Sequence, residues 1–213
     1  CDTEVVLNSY IHYGDDCVNL LNGIFAFAIY DKFNKNLFLA RDRLGIKPLF
    51  YTISSKGTFI FSSEIKGLLE HPEVDAIIDK ECIMELFGLG PAHTPGRTFF
   101  KNIYEIKAGF LANYSLEYGL VKKMYWDLKT KENTDTPKDA IEQIHNLLCD
   151  ATKRQLVSDV GICSMLSGGL DSSILTKLLM MKLKILTLFQ LILRIMIKTL
   201  LLIHTRRQKI VTL

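Results

Sequence analysis

The stretch Cys163-Ser-Met-Leu-Ser-Gly-Gly-Leu-Asp-Ser-Ser173 constrains this chain more than any other. Cys163 to Leu166 is a short apolar run, long enough for the last part of a buried strand. Ser167, Gly168 and Gly169 then make a small-residue turn, and residues 171–179 resume with helical spacing. Strand, glycine turn and helix start, in that order, make an anion site. The amides of a helix's first turn point outward without partners, the dipole adds partial positive charge, and glycines let the backbone approach an oxyanion closely. Two familiar phosphate loops do not match. A Walker loop needs a Gly-Lys-[Ser/Thr] ending and no lysine stands here, while a dinucleotide loop needs Gly-x-Gly-x-x-Gly and only two adjacent glycines are present.

What remains, Ser167-Gly-Gly-Leu-Asp-Ser-Ser173, resembles the pyrophosphate loop of ATP pyrophosphatases that adenylate a substrate. The resemblance implies that Ser167, Gly168, Gly169 and Ser172 hold pyrophosphate through amides and hydroxyls. It also implies that Asp171 helps hold Mg²⁺ and that the Leu166 backbone lies near adenosine, with ATP and Mg²⁺ as cofactors. The alternative is a plain tight turn with a serine cap.

With 213 residues, one or two domains fit, and a hydrophobic content of 48% is ample for a core. The net charge of +3 misleads. Beyond Asp171 there is no Asp or Glu, while Lys177, Lys182, Lys184, Arg194, Lys198, Arg206, Arg207 and Lys209 carry +8. Taking those eight from the 26 basic residues leaves 18 against 23 acidic ones in residues 1–171, a net of −5. The basic balance belongs to the tail, and no nucleic-acid partner is expected from it. The five cysteines (1, 17, 82, 149, 163) have no Cys-x-x-Cys spacing and no signal peptide precedes them, so reduced thiols in a cytoplasmic protein are expected.

In chain order, residues 2–12 read as an amphipathic helix with Val5, Val6, Tyr10 and Ile11 apolar and Asp2 placed to cap it. Residues 24–30 alternate large and small side chains, as a strand in a tightly packed sheet would. A hairpin-like connection at 31–36 and strands at 37–41, 48–53 and 58–61 imply an antiparallel sheet. Residues 62–69 read as a serine-capped helix lying on it.

Here a second resemblance becomes specific. Leu21-Asn-Gly-Ile-Phe-Ala-Phe-Ala-Ile-Tyr-Asp31, Arg41-Asp-Arg-Leu-Gly-Ile-Lys-Pro-Leu-Phe-Tyr51 and Ser62-Ser-Glu-Ile-Lys66 resemble the glutaminase domain of glutamine-dependent asparagine synthetases. That family pairs an N-terminal-nucleophile glutaminase sandwich with a synthetase domain carrying the pyrophosphate loop, and both appear here in that order. The expected fold is therefore a partial α+β glutaminase sandwich of antiparallel sheets with helices, followed by the start of an α/β nucleotide-binding domain. Residues 1–126 correspond to the C-terminal part of the glutaminase domain, 127–135 to a linker and 136–182 to the start of the ATP-binding domain. In the family a terminal cysteine is the nucleophile and its α-amino group the base. Cys1, followed by Asp-Thr-Glu-Val, instead resembles an internal segment, so it is not expected to serve and this chain alone is expected to be inactive.

Asp2 aligns with the family's aspartate that pairs with the α-ammonium of glutamine; a helix cap is the competing reading. Arg41, Asp42 and Lys47 read as structural pairs near the domain junction. Residues 79–87 form a helix with Ile83, Leu86 and Phe87 inward, 88–96 form a loop, and 110–114 with 120–126 form a strand pair. His93 lacks neighbours at metal spacing and reads as a solvated loop histidine. Thr136 caps a helix with Pro137 in its first turn and Ile141, Ile144, Leu147, Leu148 and Ala151 on one face.

Residues 183–213 contain no Gly, Pro, Ala, Ser, Asp, Glu or Asn, the monotony an AT-rich gene yields in a wrong frame, and a frameshift near 182–184 is expected. Lys184, Gln190, Arg194 and Lys198 interrupt the tail, so no membrane span is expected, although a membrane-surface helix is the non-catalytic alternative. The resemblance implies amidation of aspartate to asparagine through β-aspartyl-AMP, with glutamine, aspartate and ATP as small-molecule partners and a homodimer in the intact family. Another glutaminase-fused, β-lactam synthetase-like enzyme is the catalytic alternative.

Overall fold

The computed structural model describes residues 1–90, 94–160, 162–182 and 187–189, with the backbone alone at 182 and 187–189. The readings of His93 and of most of the 183–213 tail lie outside the described residues. Contacts divide the chain into two compact units, Cys1–Thr130 and Lys131–Leu213.

The first unit opens with α1 (Asp2–Tyr13) and α2 (Cys17–Leu20). Asp2 does not cap α1: Cys1 holds the capping position without a side-chain bond, and Asp2 stands inside the first turn with Glu4. Both carboxylates there oppose the positive end of the dipole. The apolar face is narrower than the spacing suggests. Tyr10 stacks on Phe38 at 4.9 Å, while Val5 and Ile11 face solvent.

Strands β1 (Ala26–Asp31) and β2 (Asn36–Arg41) form a hairpin, and β3 (Phe50–Ile53) pairs with β4 (Phe59–Ser62). Asp31 closes the first hairpin by accepting the amides of Phe33 and Asn34. After α3 (Ile65–Leu69) and α4 (Lys80–Leu89) come β5 (Ile103–Glu105), β6 (Phe110–Ser115) and β7 (Gly119–Met124). As the expected sandwich of antiparallel sheets requires, the described strands of this unit form two sheets, ordered β1-β2-β6-β7 and β4-β3-β5.

The large–small alternation explains the layering. Phe27, Ile29, Phe38, Ala40 and Leu111 pack with Tyr10, Cys17 and Val18 under the helices. The intervening Ala26, Ala28, Leu39 and Ala112 meet Leu49, Tyr51, Phe59 and Ile106 between the sheets. Period-2 alternation sends the two sets to opposite faces, and the alanines let the second sheet come close.

The cap expected of Ser62 changes. Asp79 caps α4 through Glu81, but Ser62 does not cap α3; its hydroxyl accepts the amide of Glu64, and Glu64 occupies the capping position. In α4 the inward residue is Cys82, with Ile83 and Leu86 partly covered, and Phe87 is 85% exposed. Phe87 lies five residues, or about 140°, round the helix from Cys82, so one helix cannot bury both against one layer.

Arg41 and Asp42 are structural, but not as partners of each other or of the Lys47 side chain. Arg41 pairs with Glu105 and donates to the carbonyls of Lys47, Gly45 and Ile106. Asp42 accepts the amides of Leu44, Ile46 and Lys47 at 2.9–3.1 Å, which folds residues 42–48 into a fixed loop. Gly109, at φ +69°, closes the strand entry; a Cβ there would collide with the carbonyl of Trp126.

The second unit contains α5 (Pro137–Arg154), β8 (Cys163–Met165), α6 (Leu170–Lys182) and β9 (Thr187–Phe189). Thr136 caps α5 by accepting the amide of Asp139 at 3.3 Å. The predicted apolar face is nevertheless open: Ile141 and Leu147 are each 69% exposed. Strand β8 likewise buries only Ser164, with Cys163 and Met165 outward. A two-stranded sheet with two helices covers one side of each element, and the described buried residues of this unit are Thr152, Ser164, Thr176 and Leu178. β8 and β9 run parallel, with Ser164 opposite Leu188. Among the described residues no helix is long and apolar enough to cross a membrane.

Candidate functional site: a glycine turn at a helix start

The turn between β8 and α6 is built from the strand outward. The Ser164 hydroxyl lies 2.8 Å from that of Thr176 inside the unit, fastening the strand to the second turn of the helix. Leu166 follows half-covered, and Ser167 to Asp171 are exposed. Gly168 takes φ +86°, a left-handed conformation that costs an L-residue about 1–2 kcal/mol. A Cβ at Gly168 would meet nothing within 4 Å, and one at Gly169 would meet only the Ser167 hydroxyl at 3.6 Å. Among the described residues nothing obstructs the backbone of the turn.

The Gly169 carbonyl begins the helical ladder by accepting the amide of Ser173 at 3.1 Å. The amides of Leu170, Asp171 and Ser172 precede that bond and have no intrahelical acceptor. The Ser172 and Ser173 hydroxyls both donate to the Gly169 carbonyl, at 3.1 and 2.7 Å. Ser167 and Ser172 lie 3.0 Å apart through their hydroxyls, and the Gly169 amide points at Ser167. Unpartnered first-turn amides and the Ser167 and Ser172 hydroxyls thus stand together on one turn. The Asp171 carboxylate is exposed on the same first turn.

An Mg²⁺ ion takes one or two carboxylates plus phosphate oxygens and water. One exposed carboxylate beside unpartnered first-turn amides fits a metal that arrives with its nucleotide. Among the described residues no group of three His, Cys, Asp or Glu forms a resident site.

The geometry brings together Ser167, Gly168, Gly169, Asp171 and Ser172, with Leu166 at the strand end. Sequence reasoning missed Ser164, Thr176 and Ser173. Ser173 stood in the same motif as a second hydroxyl, whereas the Ser164–Thr176 bond, across 12 residues, left no local signal.

Asp2 lies in the other unit. It lines a groove of about 590 Å³ with Thr3, Phe27, Lys47, Pro48 and Ser63. The Asp42-bonded loop supplies Lys47 and Pro48, so the rigid backbone of residues 42–48 forms one wall. Arg97, elsewhere in this unit, is already neutralised. It meets Asp79 at 3.2 Å, Glu81 at 2.9 Å and Glu85 at 3.6 Å, and its bonds to Glu81 and then Asp79 raise its pKa further.

Comparison with known proteins bears on both units. Residues 1–126 match the family described as glutamine amidotransferase domain, and residues 143–193 match asparagine synthase. That second match takes in β9 and ends within the stretch expected to be out of frame. The chain is 49% identical over 175 residues to a glutamine-hydrolysing asparagine synthetase of Bacillus subtilis, covering 82% of this chain and 28% of the relative. A second such enzyme of that organism is 39% identical over 184 residues, covering 81% of this chain and 24% of the relative. An amidase, chyE, of Penicillium rubens is 33% identical over 181 residues, with 81% and 25% covered. The chain thus spans roughly a quarter of the length of these curated relatives.

Proposed function

The chain belongs to the glutamine amidotransferase domain family, and on that premise we propose that it forms part of a glutamine-hydrolysing asparagine synthetase. The reaction is an ATP-dependent amidation: a β-carboxylate oxygen of aspartate attacks the α-phosphorus of ATP, pyrophosphate leaves, and ammonia from glutamine displaces AMP from the β-aspartyl adenylate. The observation that carries this reading is the open glycine turn at Gly168–Gly169, directly at the start of α6.

In this reading the amides of Gly168 to Ser172 and the hydroxyls of Ser167 and Ser172 meet charge that grows on the departing pyrophosphate. Preorganised donors there stabilise the transition state more than the ground state. Mg²⁺, held by Asp171 and the phosphates, would supply further charge neutralisation. The Leu166 backbone lies beside the adenosine end. Asp2 pairs with the α-ammonium of glutamine in the groove of the first unit. The partners are small molecules, in a cytoplasmic setting.

Displacement of a fluorescent ATP analogue from the purified chain tests the nucleotide half. ATP and pyrophosphate should both displace it. The double variant Asp171→Asn, Ser172→Ala should weaken ATP by at least about tenfold, because bonds to charged groups contribute about 1.5–3 kcal/mol each. Unchanged affinity in that variant would overturn the assignment.

A further inference from the structure

His145 and Cys149 stand one turn apart on α5, outside both sites described above, with Sγ 3.6 Å from Nε2. His145 is exposed and Cys149 half-buried, so solvent ions reach both. Tetrahedral zinc holds a thiolate at about 2.3 Å and an imidazole nitrogen at about 2.0–2.1 Å, which sets the two ligand atoms about 3.6 Å apart. The pair therefore already stands at the edge length of a zinc tetrahedron, on a helix stiff enough to keep it there. Asp150, the neighbouring carboxylate, is turned away into an ion pair with Arg154 at 2.7 Å.

We propose that His145 and Cys149 form a two-ligand site for a zinc-class divalent cation on the exposed flank of α5. Binding replaces the thiol S–H by a sulfur–metal bond and releases that proton to solvent, with neutral imidazole as the second donor and water in the remaining positions. Among the described residues no third His, Cys, Asp or Glu joins them, which leaves the site open to exchange. The bound ion clips positions i and i+4 of the helix together and masks the Cys149 thiol.

The test is a Cd²⁺ titration of the full chain, read by the thiolate-to-metal absorption band, with the ring nitrogens of His145 followed by NMR. In the unmodified chain the His145 Nε2 signal should shift with the first equivalent. Cys149→Ser should remove one thiolate equivalent, and His145→Ala should keep the thiol but weaken that equivalent by at least about tenfold. Both substitutions are at solvent-accessible helical positions, and circular dichroism reports whether α5 persists. Equal stoichiometry and affinity in all three proteins would overturn the proposal. So would a Cys149-dependent band indifferent to His145→Ala, which would mark a solitary thiol.

Discussion

Arg41 and Glu105 meet at 2.7 Å with side chains only 8% and 14% exposed, and their bond joins the two sheets of the first unit. Arg41 also donates to the carbonyls of Gly45, Lys47 and Ile106, so one cation anchors the 42–48 loop and the inter-sheet layer together. Removing one member strands the other. Glu105→Gln is expected to destabilise the chain by about 3–5 kcal/mol in urea denaturation. A loss below 1 kcal/mol would show that the carbonyls alone suffice.

Gly168 separates strain from function. Its φ of +86° should make Gly168→Ala cost about 1–2 kcal/mol in stability, since a Cβ would meet no atom within 4 Å. The same methyl would stand on the turn where an anion is proposed to sit. Thermal denaturation should therefore record a modest loss, while ATP affinity falls well beyond it.

Thr152 carries a buried hydroxyl oxygen that has no hydrogen-bond partner among the described residues. An unpaired buried polar group costs about 1–3 kcal/mol, and valine has nearly the same shape. Thr152→Val should raise the unfolding midpoint. A lowered midpoint would mean that the hydroxyl is satisfied in solution.

Glu73 supplies the pH dependence. The Ser54 hydroxyl donates to it at 2.7 Å and Lys56 stands at 3.3 Å; together with Thr58 they lower its pKa to about 2 from 4.5. Because the folded value is depressed, the stabilisation is complete above pH 4.5 and drains away as pH falls towards 2. Ser54→Ala should flatten that part of the stability profile and raise the Glu73 titration seen by NMR. An unchanged Glu73 titration would contradict the hydroxyl's role.

How far the sequence could be read depended on the range of the interaction. The strands at 26–31, 36–41 and 110–115, the Thr136 cap and the glycine turn announce themselves by alternation, capping chemistry or motif, all local signals. Arg41–Glu105 spans 64 positions and joins two sheets, so nothing near Arg41 predicts its partner. Lys47 facing the Asp2 groove is hidden for the same reason. Phe87 and the Ile141 face failed differently. Apolar spacing says which residues share a side, but not whether another layer lies over it.

The turn from Ser167 to Ser173 is proposed to hold the pyrophosphate end of ATP. Amide NMR of the labelled chain, titrated with inorganic pyrophosphate and Mg²⁺, addresses it residue by residue. The largest shifts are expected at the amides of Gly168 to Ser172, reduced in Ser172→Ala. Shifts scattered over the lysines while Gly168 and Gly169 stay still would contradict it.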